Sequence, residues 1–102
     1  MPTYKAVRDP NRCPSHPGAA LADILEDFTM PKTEVAERLG ISRQHLYDLL
    51  AERKPLSPNV AARIGKMFGG GVAIWLHMQA AHDAWHAERE VDVSHIKTIK
   101  AA

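Results

Sequence analysis

From Lys32 to Leu50 the chain reads K-T-E-V-A-E-R-L-G-I-S-R-Q-H-L-Y-D-L-L, and no other stretch limits the fold as tightly. Val35, Ala36 and Leu39 form the apolar face of one short helix, expected from about Pro31 to Leu39. Leu46, Leu49 and Leu50 form the inward stripe of the next, expected from about Arg43 to Leu50. Gly40 follows the first helix directly, where a left-handed residue ends it. Ser42 stands where it can cap the second. Two helices that cross steeply need a small residue where they touch, and Ala36 supplies it. Val35, Leu39, Ile41, Leu46 and Leu49 fix the angle between them. Together these offsets spell a helix-turn-helix.

Prolines, glycines and small polar residues divide the rest of the chain. Residues 1–15 read as a flexible N-terminal arm, broken by prolines and turn formers. Pro17 suits a helix start. Leu21, Ile24, Leu25 and Phe28 then fall at helical spacing, so a first helix is expected from Pro17 to about Phe28. Met30-Pro31 interrupts it. Beyond the central pair, Arg53-Lys54-Pro55-Leu56 is a loop, and Ser57-Pro58 is a cap followed by proline in the first turn. The fourth helix is expected to reach Phe68, with Val60, Ala61, Ile64, Met67 and Phe68 inward, and Gly69-Gly70-Gly71 ends it. A fifth begins near Val72 and extends to Glu90 with a broad apolar stripe. Past Glu90, Val91, Val93, Ile96 and Ile99 are interspersed with polar residues, as either a short β-strand or a frayed tail. A lone strand has an unpaired edge, whose cheapest partner is the same strand of a second copy. The expected architecture is all-α: a five-helix bundle over residues 16–90, then a tail or short C-terminal β-strand over 91–102.

With 102 residues the chain is long enough for one compact domain. Cys13 is the single cysteine, so neither an internal disulfide nor a cysteine-rich zinc site is available, which fits a reducing cytoplasm. No signal-peptide pattern and no membrane-length apolar run are present, so no membrane association is expected. Net charge is only +1, but it is unevenly distributed. Residues 19–40 carry five acids and two bases, and residues 41–66 carry five bases and two acids. A basic centre between acidic flanks suits phosphate binding, and equally a solvated face.

With Leu46 and Leu49 inward, the outward face of the third helix carries Arg43, Gln44, Tyr47 and Asp48, the candidate base-reading residues; His45 lies near its edge. Arginine pairs with guanine and glutamine with adenine in a major groove. Lys32, Ser42, Arg53, Lys54, Ser57 and Asn59 are the candidate phosphate contacts, which position a domain without reading sequence. An outward polar face of this kind also occurs on helix pairs that only pack. Asp23, Glu26 and Asp27 on the first helix form an acidic surface suited to a basic protein partner. Trp75 is expected in the core, and Trp85 is a candidate partner contact. His82 and His86 are four apart and share a helix face, but no third ligand is fixed by the sequence, so no metal or other cofactor is expected. Gly69-Gly70-Gly71 lacks the features of a phosphate loop, and no nucleophile stands in a catalytic context, so no enzyme is expected.

Four segments resemble one family: His16-Pro17-Gly18, E-V-A-E-R-L-G-I-S-R-Q, R-K-P-L-S-P with A-R-I-G-K-M-F-G, and W-L-H-M-Q-A-A-H-D-A-W. Together they are similar to the HigA-type antitoxins of the XRE (Cro/C1-like, lambda-repressor-like) helix-turn-helix superfamily, over about His16 to Glu90. The resemblance implies a homodimeric repressor that binds a palindromic operator in its own promoter. It also implies a partner, a HigB-type toxin of the RelE-like mRNA endonuclease class, neutralised by binding. Operator reading falls on Ser42, Arg43, Gln44, Tyr47 and Asp48. Pro31, Gly70-Gly71-Val72 and His82 depart from the family pattern, mainly at helix ends. Two other readings stand beside it: an XRE regulator without a toxin, and a toxin-sequestering protein with weak DNA binding.

Overall fold

The computed structural model describes residues 11–101 and contains five helices: α1 (Pro17–Glu26), α2 (Lys32–Leu39), α3 (Arg43–Leu50), α4 (Pro58–Phe68) and α5 (Gly71–Glu90). Three of the five starts carry a side-chain cap. The His16 imidazole accepts the Gly18 N–H at 2.9 Å ahead of Pro17, and the Ser42 and Ser57 hydroxyls accept from His45 and Val60. Each such cap contributes about 1 kcal/mol. Pro31, in extended conformation, precedes α2 without a side-chain cap.

Helices α2 and α3 end in the same way. At Gly40 (φ 73°) the Ile41 N–H reaches back to the Ala36 carbonyl. At Glu52 (φ 61°) the Arg53 N–H reaches back to the Asp48 carbonyl at 2.8 Å. Both are left-handed stops that satisfy otherwise orphaned carbonyls. Glycine takes this conformation freely, whereas glutamate at the second costs about 1–2 kcal/mol.

The core gathers one face from every helix: Leu21 and Leu25, Val35 and Leu39, Leu46 and Leu49, Val60 and Ile64, and Trp75. Burial of a leucine or isoleucine side chain is worth about 1.5–3 kcal/mol. Trp75 is in the core as expected, and its indole N–H donates to the Gly69 carbonyl at 3.0 Å. Gln79 is also buried. It accepts the Leu56 N–H at 2.8 Å and donates to Asp83, joining the loop after α3 to α5. Gly18 lies against α3 so closely that a Cβ there would stand 1.8 Å from the Leu49 carbonyl oxygen. The backbone of α1 therefore touches the last turn of α3 directly.

Two expectations need correction. Helix α1 ends at Glu26 rather than Phe28, because the Asp27 and Phe28 N–H groups fold into a tight turn ahead of Met30-Pro31. Phe28 is consequently exposed, and its ring edge meets Phe68 with centroids 5.8 Å apart. The C-terminal strand is absent: residues 91–101 form no strand. The Asp92 carboxylate accepts from both the N–H and the hydroxyl of Ser94, and the Ile96 N–H bonds to the Val93 carbonyl, so the chain turns twice where a strand must be straight. Those bonds from Ser94 also hold the Asp92 carboxyl below its ordinary pKa. Residues 1–10 of the expected arm lie outside the described residues. Its last part does not stand free: the Pro14 carbonyl is 2.8 Å from His82 Nδ1 on α5.

The Gly18 contact makes a clear prediction. Gly18→Ala forces α1 away from α3 and costs about 1–3 kcal/mol, read as a lower midpoint in urea melts. An unchanged midpoint would show that the two helices separate without cost.

Candidate nucleic-acid interface

Helix α3 has one buried side and one open side. Leu46 and Leu49 are fully buried, while Ser42, Arg43, Gln44 and Tyr47 are exposed. Arg43 has no hydrogen-bonding or ionic partner among the described residues, so its guanidinium projects free. Tyr47 is 42% exposed. The rim of an open depression between α1 and α3 brings together Phe28, Lys32, Tyr47 and Arg53. A phenol and two cations expected to touch DNA thus share one surface.

Asp48 does not lie where the sequence reading put it. That reading gave it to the outward face, yet it is only 9% exposed. The left-handed turn at Glu52 folds the chain back over it. Arg53 Nε donates to its Oδ1 at 3.0 Å, Gln44 Nε2 donates to the same oxygen at 2.9 Å, and Lys54 Nζ lies 3.4 Å from Oδ2. The hydrogen bonds from Arg53 and then Gln44 hold its carboxyl below the ordinary aspartate pKa, and Lys54 adds to the effect. Asp48 is an anchor for three surrounding donors, two of them on the same oxygen. Sequence reasoning missed this because helical spacing alone puts Asp48 beside Gln44; only the backbone reversal after Leu50 closes the other side.

The remaining candidates divide. The Ser42 hydroxyl is engaged as the α3 cap, but it lies exposed at the helix N-terminus, where backbone N–H groups favour an anion. Ser57 is engaged as the α4 cap, and Asn59 Oδ1 accepts from Arg63 Nε at 2.8 Å. Arg63, which the sequence reading passed over, also donates to the Leu39 carbonyl at 3.0 Å. It ties the end of α2 to α4 and so holds the turn that leads into α3. Arginine one helical turn after asparagine on an exposed face was the available signal.

The acidic residues Asp23, Glu26 and Asp27 are all exposed on or just after α1. Trp85 is half-buried, with the Arg89 guanidinium 3.8 Å from its ring centroid. Its indole N–H is buried without a hydrogen-bond partner among the described residues. His82 and His86 share a face of α5, and the structure adds a third group that the sequence had not fixed: Cys13 Sγ stands 3.6 Å from each. No described helix is long and apolar enough to cross a membrane.

Comparison with known proteins agrees with this geometry. No family model matches the chain. The uncharacterized HTH-type transcriptional regulator YbaQ of Escherichia coli is 30% identical over 98 residues, spanning 91% of this chain and 87% of that protein. Among solved structures, an addiction module antidote protein of the HigA family from Coxiella burnetii superposes with a TM-score of 0.79 at 26% identity, covering 87% of this chain and 100% of the other. The Pseudomonas aeruginosa antitoxin HigA, solved with the higBA promoter, does so with a TM-score of 0.66 at 25% identity, covering 78% and 96%. The chain belongs to the HTH-type transcriptional regulators, and its fold is that of the HigA-type antitoxins.

Proposed function

We propose that this protein is a dimeric repressor of its own operon and the antitoxin of a HigB/RelE-like mRNA endonuclease. The observation that carries the DNA-binding half is the open face of α3, with an unpartnered Arg43 beside Gln44 and Tyr47. In this reading α3 enters the major groove, Arg43 and Gln44 read base edges, and Tyr47 contacts a base or sugar. Lys32, Arg53, Lys54 and the N-terminus of α3 at Ser42 hold phosphates, with Ser57 and Asn59 at the start of α4 as outer contacts. Asp48 takes a positioning role: it orients Gln44 and restrains two of the cations. A second protomer places its own α3 in the neighbouring half-site about 34–36 Å away. Exposed Val72, Ile74, Val91 and Val93 near the two ends of α5 support self-association.

For the toxin half, the exposed carboxylates Asp23, Glu26 and Asp27 support docking of a basic protein. Trp85, with its unsatisfied indole N–H, supports a further partner contact. Co-expression with the neighbouring open reading frame tests this. A stable complex weakened by charge reversal at Asp23 and Glu26 is expected, and an operator-binding protein that captures nothing would reduce the reading to a regulator without a toxin.

Two measurements separate reading from positioning. Arg43→Ala weakens operator binding by about 1–3 kcal/mol in fluorescence anisotropy at fixed salt, and non-operator DNA much less. Lys54→Ala weakens every duplex similarly and lowers the dependence of log K on log salt by about one. A base-specific loss at Lys54 would reverse these roles.

Asp48→Asn keeps the oxygen that Gln44 and Arg53 share but removes the negative charge that restrains Arg53 and Lys54. Affinity for non-operator DNA rises, and the ratio of operator to non-operator affinity falls. The same variant tests the depressed pKa. Because the folded value lies below the unfolded one of about 3.9, the pairing contributes fully above that pH and is lost as pH falls through the folded value. Asp48→Asn should therefore be less stable than the parent at neutral pH and converge with it in strong acid. Parallel stability curves would show that the pairing contributes nothing.

A further inference from the structure

Cys13, His82 and His86 play no part in the interface above, yet they converge. The sulfur lies 3.6 Å from His82 Nδ1 and 3.6 Å from His86 Nε2, and one ligand atom from each residue lies within 4.8 Å of the other two. All three side chains are half-buried. The geometry points to a Zn²⁺ site with one thiolate and two imidazole ligands, joining the segment before α1 to α5.

The distances carry the argument. A tetrahedral zinc with Zn–S of about 2.3 Å and Zn–N of about 2.0–2.1 Å holds sulfur and nitrogen about 3.6 Å apart. Both sulfur–nitrogen separations already have that value. The imidazoles sit four residues apart on α5, with ring centroids 4.6 Å apart. The surrounding contacts favour loading. Glu90 Oε2 lies 2.6 Å from His86 Nδ1, so a proton on Nδ1 is held by the carboxylate and the Nε2 lone pair faces the sulfur. A carboxylate behind a ligating histidine fixes its tautomer and raises its basicity. His16 stacks edge-on against His82 with centroids 5.1 Å apart and limits rotation of that ring.

Loading also exacts a change. The Pro14 carbonyl lies 2.8 Å from His82 Nδ1 and takes its proton in the hydrogen-bonded form. To bind zinc, His82 must carry its proton on Nε2 instead, the Pro14 carbonyl must turn away from Nδ1, and the Cys13 thiol must release a proton to solvent as the Zn–S bond forms. Three protein ligands then leave the fourth position to water, the arrangement of an open rather than a closed site. Thiolate with imidazole selects zinc over magnesium or calcium, which prefer oxygen.

The test uses the tag-free full chain, reduced and freed of metal. Co²⁺ titration should give a thiolate-to-cobalt charge-transfer band and the intense visible bands of a four-coordinate ion, saturating at one per chain and reversed by Zn²⁺. Cys13→Ser removes the charge-transfer band, and His86→Ala weakens Zn²⁺ affinity at least tenfold. Glu90→Gln keeps the band and weakens affinity by about 10–100-fold, which separates an orienting carboxylate from a ligand. Circular dichroism of each variant confirms that α5 is intact, and zinc should raise the melting temperature of the parent but not of Cys13→Ser. The proposal is overturned by weak six-coordinate cobalt spectra, by binding that survives Cys13→Ser unchanged, or by an absence of saturable binding to folded protein.

Discussion

The backbone contact between Gly18 and the Leu49 carbonyl governs where the exposed face of α3 points. Helix α3 has only eight residues, too few to hold a helical shape alone in water. Its direction is set entirely by what it packs against. Leu46 and Leu49 bury its inner side, and α1 presses on its last turn with no side chain between the backbones. A methyl group at residue 18 would push α3 outward and carry Arg43 and Tyr47 with it. His16-Pro17-Gly18 is therefore a unit: the histidine caps α1, the proline starts it, and the glycine lets it reach α3.

Electrostatics finishes what packing begins. Three donors converge at the base of α3 around one carboxylate, and that carboxylate is nearly enclosed. Arg53 and Lys54 stay more than half exposed while their charged ends are drawn to one point. Exposed ion pairs of this kind contribute little stability. Their effect is positional: they hold the loop after α3 in one orientation and keep Gln44 from rotating freely. The glutamate forced into a left-handed turn at Glu52 is consistent with that emphasis, since glycine there would relieve the strain but loosen the reversal.

The sequence disclosed the helices and their faces well, because each start carries a chemical signal within three residues. Ser42, Ser57-Pro58 and Gly40 each mark a boundary that the structure keeps. It failed where one residue's environment is made by a distant or reversed segment. Asp48 looked outward by helical spacing, and only the fold-back at Glu52 encloses it. Phe28 continued an apolar period past the point where its backbone had already turned. Cys13 and the two histidines were each visible, but nearly seventy residues separate the cysteine from His82, and no local periodicity relates them. The tail alternated enough to suggest a strand, yet Asp92 and Ser94 settle the backbone into a turn through bonds shorter in range than any sheet.

His16 links these two regions of the molecule. Its Nδ1 accepts the Gly18 N–H, which requires that nitrogen to be unprotonated, and burial followed by the neighbouring His82 keeps the ring below its ordinary pKa. A neutral His16 thus seats the first turn of α1, the turn whose glycine touches α3. The same ring packs at a near right angle against His82, with centroids 5.1 Å apart. The imidazole that organises the approach of α1 to α3 is packed directly on a residue of α5. Gln79 joins the same helix to the loop after α3 by the Leu56 N–H. Helix α5 therefore holds α3 at both of its flanks, through His16 and α1 on one side and through Leu56 on the other. This explains why a helix with just two buried residues, Trp75 and Gln79, is built into the core rather than left as an appendage.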